Sequence, residues 1–183
     1  MKKQILATMM GLFVCTLLSP AVRAQAEQAQ KKPPGPAEVI LLQWNYVGNK
    51  LAEMAEDFPE AKYDYRPNDQ VRTFAQQVLH ASASMYYATN AALGKPTDKI
   101  DENPSRDIYK TKAEVVAFVK KCVEDGAAAI QKDGDSGVVK HIGAWDSVIE
   151  HSGEHYGQLV VYYRLNGLVP PETRREQQQQ QKK

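Results

Sequence analysis

Apolar side chains recur every three to four residues over four stretches of this chain, and no stretch sustains the period-two alternation of a half-buried strand. The first stretch predicts a helix from about Ala37 to Asp57, with Val39, Leu42, Tyr46, Leu51 and Met54 near helical spacing and Phe58-Pro59 ending it. The second predicts a helix from about Asp69 to Leu93, with Asn68 as N-cap, Gly94 just past the end, and Phe74, Val78, Ala81 and Met85 as one apolar stripe. Thr111-Lys112-Ala113-Glu114 has the form of a capping box, and Val115, Phe118, Val119, Cys122 and Val123 carry a third helix that fades near Gln131. The fourth runs from about Ile142 to Asn166 and is closed by Gly167 and Pro170-Pro171. The expected fold class is therefore all-α, a four-helix bundle. The connection from Gly94 to Lys110 is long for a bundle and suits a crossover that lets two neighbouring helices run parallel.

The chain ends follow a different pattern. Lys2 and Lys3 precede a mostly apolar run from Ile5 to Leu18, then Pro20 and the small residues around Ala24 and Ala26. This is the layout of a secretory signal peptide over residues 1–24, cleaved after Ala24 or Ala26. The apolar run is short for a membrane span, so no stable membrane insertion is expected after cleavage. Leu12-Phe13-Val14 lacks the small residue that a lipoprotein site places ahead of its cysteine, here Cys15. The protein is expected to be exported, to the periplasm or as a secreted protein. Residues 25–36 are polar and proline-rich and read as a flexible linker. Residues 172–183 are charged, glutamine-rich and without an apolar residue, and are expected to be a disordered tail. The bundle occupies residues 37–171 between them.

Loss of Lys2, Lys3 and Arg23 takes the formal net charge from +1 to −2. No clustered basic face accompanies it, which argues against nucleic acid as a partner. Cys122 is the one cysteine left after cleavage, so stability must come from the apolar core rather than from a disulfide.

The candidate chemistry lies in the histidines. His151 and His155 stand four apart on the fourth helix, roughly 6 Å along its axis and about 40° around it. That spacing can hold one divalent ion, and it can also be incidental. Both share a sector with Ala144, Val148, Leu159 and Tyr162, which turns them toward the interior, where each imidazole nitrogen needs a partner. His80 lies beside the apolar stripe of the second helix, with Thr73, Gln77, Ser84 and Tyr87 near it on the wheel; this is a polar seam that lines a cavity or is plain surface. His141 precedes the fourth helix and reads as a loop residue. The run from His151 to His155 also matches the inverted zinc-peptidase motif, in which Glu154 would be the general base. The acids downstream, Glu172 and Glu176, lie in the tail, so the third ligand that motif needs is missing. Glu154 remains a weak catalytic candidate, and both it and Glu150 read more simply as solvent-facing. Asp133-Gly134-Asp135-Ser136-Gly137 lacks the glycine and glutamate of a calcium loop at the required positions and reads as a turn.

Two segments carry a family resemblance. His151-x-x-x-His155-Tyr156-Gly157-Gln158-Leu159, followed by Tyr163-Arg164-Leu165-Asn166-Gly167-Leu168-Val169-Pro170-Pro171, resembles the last helix of DinB-like (DinB/YfiT) proteins. Tyr65-Arg66-Pro67, followed by a helix with Val78-Leu79-His80-Ala81, resembles their second helix. The likeness spans about Val39 to Pro171. It implies a bundle with non-sequential helix order and a divalent metal held by His80, His151 and His155. Many members carry a histidine directly after the last ligand, where this chain has Tyr156. Three imidazoles leave a coordination position open, the arrangement of a catalytic rather than a closed structural site. Zinc or nickel suits imidazole best, with iron and manganese as further possibilities.

Activities assigned in the family include transferases and isomerases that use low-molecular-weight thiols; other members are only described as metal-dependent hydrolases or stress-associated proteins. Those thiols are cytoplasmic, so an exported member points first to metal-dependent hydrolysis of a small molecule. The alternatives are a metal- or small-ligand-binding protein without turnover and, lower, a thiol-dependent transferase or isomerase. A small molecule is the expected partner, and a homodimer is compatible with the family.

Overall fold

The computed structural model describes residues 32–182, and its compact helical unit begins at Pro34. The signal-peptide reading and most of the linker lie outside the described residues. Helix α1 (Pro36–Asp57) opens on a proline, whose fixed φ and missing N–H suit the first helical turn. Gly35 offers no capping side chain, and Asp135 accepts instead from the N–H of Ala37, 98 residues earlier in the chain, at 3.0 Å. A 3₁₀ turn (Glu60–Lys62) leads toward α2 (Phe74–Ala92), then follow α3 (Lys112–Lys140), α4 (Ile142–Leu165) and α5 (Pro171–Gln180).

The expected helices are all present, with four corrections. On α1 the buried face is Ile40, Trp44, Val47, Leu51, Met54 and Ala55, whereas Val39, Leu42 and Tyr46 are exposed. At 100° per residue the sequence carries two apolar faces there, and the one holding Trp44 packs inward. Helix α2 starts five residues later than expected. Thr73 is its N-cap, in a capping box with Gln76, and Asn68 closes a small turn by accepting from the Gln70 N–H at 2.8 Å. Helix α3 keeps its capping box but does not fade near Gln131; it continues to Lys140, bent where Gly134 takes φ 65°. The bend stands where a turn was expected.

The fourth correction concerns the tail. Residues 171–180 are helical rather than disordered. Composition offered no apolar face to bury, but ion pairs fasten this helix to α1. Arg174 forms a two-pronged pair with Asp57 at 2.6 and 3.1 Å, Arg175 pairs with Glu53, and Glu172 meets Lys50 at 2.6 Å.

Helix α1 packs chiefly on α3, α3 also on α2, α2 on α4, and α4 on α1. The pairs α1–α2 and α3–α4 therefore sit diagonally, which is the non-sequential order the resemblance implies. Paired ends give the directions. Gly35 meets Asp135 while Phe58 O accepts from Lys112 Nζ, so α1 and α3 are antiparallel. Trp44 meets Trp145 and Tyr163 donates to Met54 O, so α1 and α4 are parallel. Helices α2 and α3 are then parallel too, and residues 93–111 form the crossover between them.

Large side chains fill the centre. Trp44 and Trp145 meet edge to face at 5.6 Å, and Phe58 stacks on Phe74 at 3.8 Å. A Cβ on Gly126 would lie 1.9 Å from the Trp44 ring, so the α1–α3 approach depends on the missing side chain. Cys122 is buried here, and burial pushes its thiol up to about 12, which makes it a core residue rather than a nucleophile.

Candidate metal centre

Because α2 and α4 run antiparallel, successive turns of one meet successive turns of the other in reverse order. Helix α2 presents Gln77, His80 and Ser84, and α4 presents Gln158, His155 and His151. The three imidazoles meet at mid-height, with ring centroids 5.3 Å apart for His80–His151, 4.8 Å for His80–His155 and 4.2 Å for His151–His155. One nitrogen from each lies within 4.8 Å of the others. His155 is buried, and His80 and His151 are half-buried. His141 stands apart at the α3–α4 corner, paired with Asp133 at 3.0 Å.

The outer nitrogens have partners that set the direction of the inner ones. His80 Nδ1 lies 2.6 Å from the backbone carbonyl of Glu102, on the crossover. A carbonyl only accepts, so Nδ1 carries the proton and the Nε2 lone pair faces inward. The Nδ1–H of His155 donates to Gln158 Oε1 at 3.0 Å, and Gln77 Nε2 donates to that same oxygen. The Nε2 atoms of His151 and His155 face each other at 3.0 Å. Two nitrogens on one tetrahedral zinc, each at about 2.0 Å, stand about 3.3 Å apart, close to this separation.

Electrostatics favour the neutral imidazole at His80 and at His155. Burial lowers the pKa of His80, and neighbouring positive charge from Arg72 and His151 adds to it. Burial and then the charge of His151 push His155 down to about 4. These two positions thus favour uncharged imidazole, the form that ligates metals. Among the described residues the one histidine–carboxylate pair is His141–Asp133, so no acid competes for the triad's nitrogens. The donor set fits a divalent ion: three imidazole nitrogens converge, with two of the outer nitrogens already engaged.

Glu154 and Glu150 are exposed, and neither forms a hydrogen bond with the triad. Tyr156 also turns away, donating to Glu172 Oε2 at 3.0 Å with Lys50 over its ring at 4.6 Å. Sequence reasoning missed Gln158 and Glu102. Gln158 follows His155 by three residues and shares its helix face, a signal available from spacing. The Glu102 carbonyl reaches His80 only through the path of the crossover, which no local pattern marks.

Two cavities flank the triad. One of about 730 Å³, lined by Arg72, Val71, Val161 and Tyr162, stops at the amides of Gln77 and Gln158. The other, about 320 Å³, is bounded by Ser84, Tyr87, Ala88, Ser147 and Val148 and has His151 itself in its wall. Gln77, Tyr87 and Tyr162 each line one of the two.

The DinB superfamily model matches residues 43–159, a span that contains all three histidines. This chain belongs to the DinB superfamily. The all-helical bundle, with histidines meeting between its second and fourth helices, agrees with that membership. The match ends before α5, so the ion-paired terminal helix lies outside the family's matched region. Among curated proteins, none matches this chain.

Proposed function

We propose that this DinB-superfamily protein binds one divalent metal ion through His80, His151 and His155 and uses it to hydrolyse a small molecule outside the cytoplasm. The observation that carries the metal reading is the convergence of three imidazole nitrogens, with Nδ1 of His80 and of His155 tied to oxygen acceptors. Zinc or nickel is the preferred ion for an all-imidazole donor set, ahead of iron or manganese. When bound, such an ion supplies Lewis acidity to a substrate oxygen and acidifies water. The residues of the chain hold and orient it. Glu102 O and Gln158 Oε1 keep two rings in the ligating tautomer, and the apolar neighbours Val148 and Leu159 limit water around the site.

Export rests on the layout of residues 1–24, and it sets the hydrolytic reading above thiol transfer. The exposure of Glu154 and Glu150 favours a second reading, metal or ligand binding without turnover, since neither supplies a general base at the triad.

Elemental analysis of the purified, untagged protein tests the metal. Expected are about one equivalent of zinc or nickel in the wild type and a clear loss in His80→Ala and in His151→Ala/His155→Ala. Full occupancy in His80→Ala would remove that residue from the site and end the three-ligand model. Ester and amide panels with and without a chelator separate the two functional readings, and the mass of the mature N-terminus tests export.

A further inference from the structure

We infer that the cavity beside His151, between the C-terminal half of α2 and the N-terminal half of α4, is the ligand pocket of the metal centre, and that it takes a small, uncharged, largely apolar molecule with one hydrogen-bonding group. The inference rests on the three-histidine metal reading and adds where the ligand sits and what it is.

Three observations carry it. Of the two cavities flanking the triad, this one alone has a triad histidine in its wall. The larger cavity is cut off by the Gln77–Gln158 amide pair behind His155. Size does not decide between them; contact with His151 does.

The second observation is Ser84. Its side chain is only 7 % exposed, it lines this cavity, and its Oγ has no hydrogen-bond partner. Helical serines and threonines usually satisfy themselves on the carbonyl one turn back. Ser82 does so on Val78 O at 2.9 Å, and Thr89 on Met85 O at 2.8 Å. Ser84 does not, so an unpaired buried hydroxyl stands at the cavity wall. The two other unpartnered buried atoms, Trp145 Nε1 and Ser152 Oγ, line neither cavity.

Charge and volume define the class. Among the described residues, no lysine or arginine lines the pocket, and its one acidic wall residue is Glu102. An anionic ligand would lose its hydration there without gaining a counter-charge. The walls are otherwise alanine, valine and the Tyr87 ring, alongside the hydroxyls of Ser84 and Ser147. A cavity of about 150 Å³ holds benzene, so about 320 Å³ accommodates one ring with a short polar arm.

The test uses cobalt(II)-loaded full-length protein titrated with benzohydroxamic acid, uncharged at pH 7, with the visible cobalt bands as the readout. Ser147 is exposed, so Ser147→Trp fills the pocket without disturbing the core. It is expected to weaken benzohydroxamic acid at least tenfold while cobalt stoichiometry stays at wild-type level. Ser84→Ala should weaken it about three- to tenfold, the worth of one hydrogen bond. Val161→Trp, in the other cavity, should leave affinity unchanged. The probe carrying a 4-carboxylate should bind at least tenfold more weakly than the parent. Unchanged affinity in Ser147→Trp, loss in Val161→Trp instead, or equal binding of the carboxylated probe overturns the inference. A wild type that takes up no cobalt overturns the metal reading as well, which separates the two failures.

Discussion

At the scale of single residues, the metal reading depends on the second nitrogen of each ring as much as on the first. An imidazole whose Nδ1–H is held by an oxygen points its Nε2 lone pair in a fixed direction. For His155 that oxygen belongs to Gln158, at 3.0 Å. Gln158 is thus a positioning residue, acting through His155. Gln158→Ala is expected to keep the fold and lower metal affinity about 10- to 100-fold. Competition with a chromophoric chelator measures this, and Gln158→Glu, which retains an oxygen acceptor, should recover most of the loss. Wild-type affinity in Gln158→Ala would assign that hydrogen bond no part in holding the ligand. His80 has the same device, but its acceptor is a backbone carbonyl that side-chain substitution cannot remove. The histidines themselves were legible as candidates. Their partners were less so, because only one of the two lies on the same helix face.

At the scale of elements, close packing between α1 and α3 decides which face of α1 is buried. Trp44 donates to Val123 O at 2.8 Å and lies over Gly126. Gly126→Ala would drive a methyl into that ring. Its expected cost is about 1–3 kcal/mol of unfolding free energy, read from urea denaturation. Gly153 is the converse case, an exposed helical glycine with open space around its Cα. Gly153→Ala should stabilise by about 0.5–1 kcal/mol, because alanine loses less backbone freedom on folding. Opposite signs for the two substitutions are the expected result; a neutral Gly126→Ala would show that α1 and α3 can separate at no cost. The capping box of α3 was readable directly from Thr111 and Glu114. That of α2 was not, since Asn68 and Thr73 both precede helix-compatible residues and only the backbone between them decides.

At the scale of the whole molecule, the terminal helix is the feature that pattern reasoning placed outside the fold. Charge rather than apolar burial docks α5. The Arg174 guanidinium beside Asp57 holds its carboxyl below the usual range, against an opposing effect of burial. For Glu172, burial acts to raise the pKa, and hydrogen bonds from Lys50, Tyr46 and Tyr156 together outweigh it, leaving a net lowering. A carboxylate whose folded pKa is depressed stabilises the docked form above its unfolded value of about 4 and loses that contribution as pH falls through the folded one. The helix should therefore stay docked at pH 7 and loosen below about pH 4. Amide relaxation of Gln177–Gln179 by NMR measures this. Molar salt at pH 7 should produce part of the same loosening through screening. Order unchanged at pH 3 would mean that something other than these pairs holds α5.

Periodicity along the chain was enough to determine the helical class, the four long helices, the long crossover and the inward face of α4. These follow from local rules, since residues three and four apart share a helix side wherever the helix is placed. The tertiary structure decided which of two apolar faces α1 buries, that His80 meets His151 and His155, which cavity has His151 in its wall, and that a tail without apolar residues folds back. Each of these depends on groups brought together from far apart in the chain. Their pairing is set by helix order and direction, and these in turn depend on packing at positions such as Gly126 and Trp44.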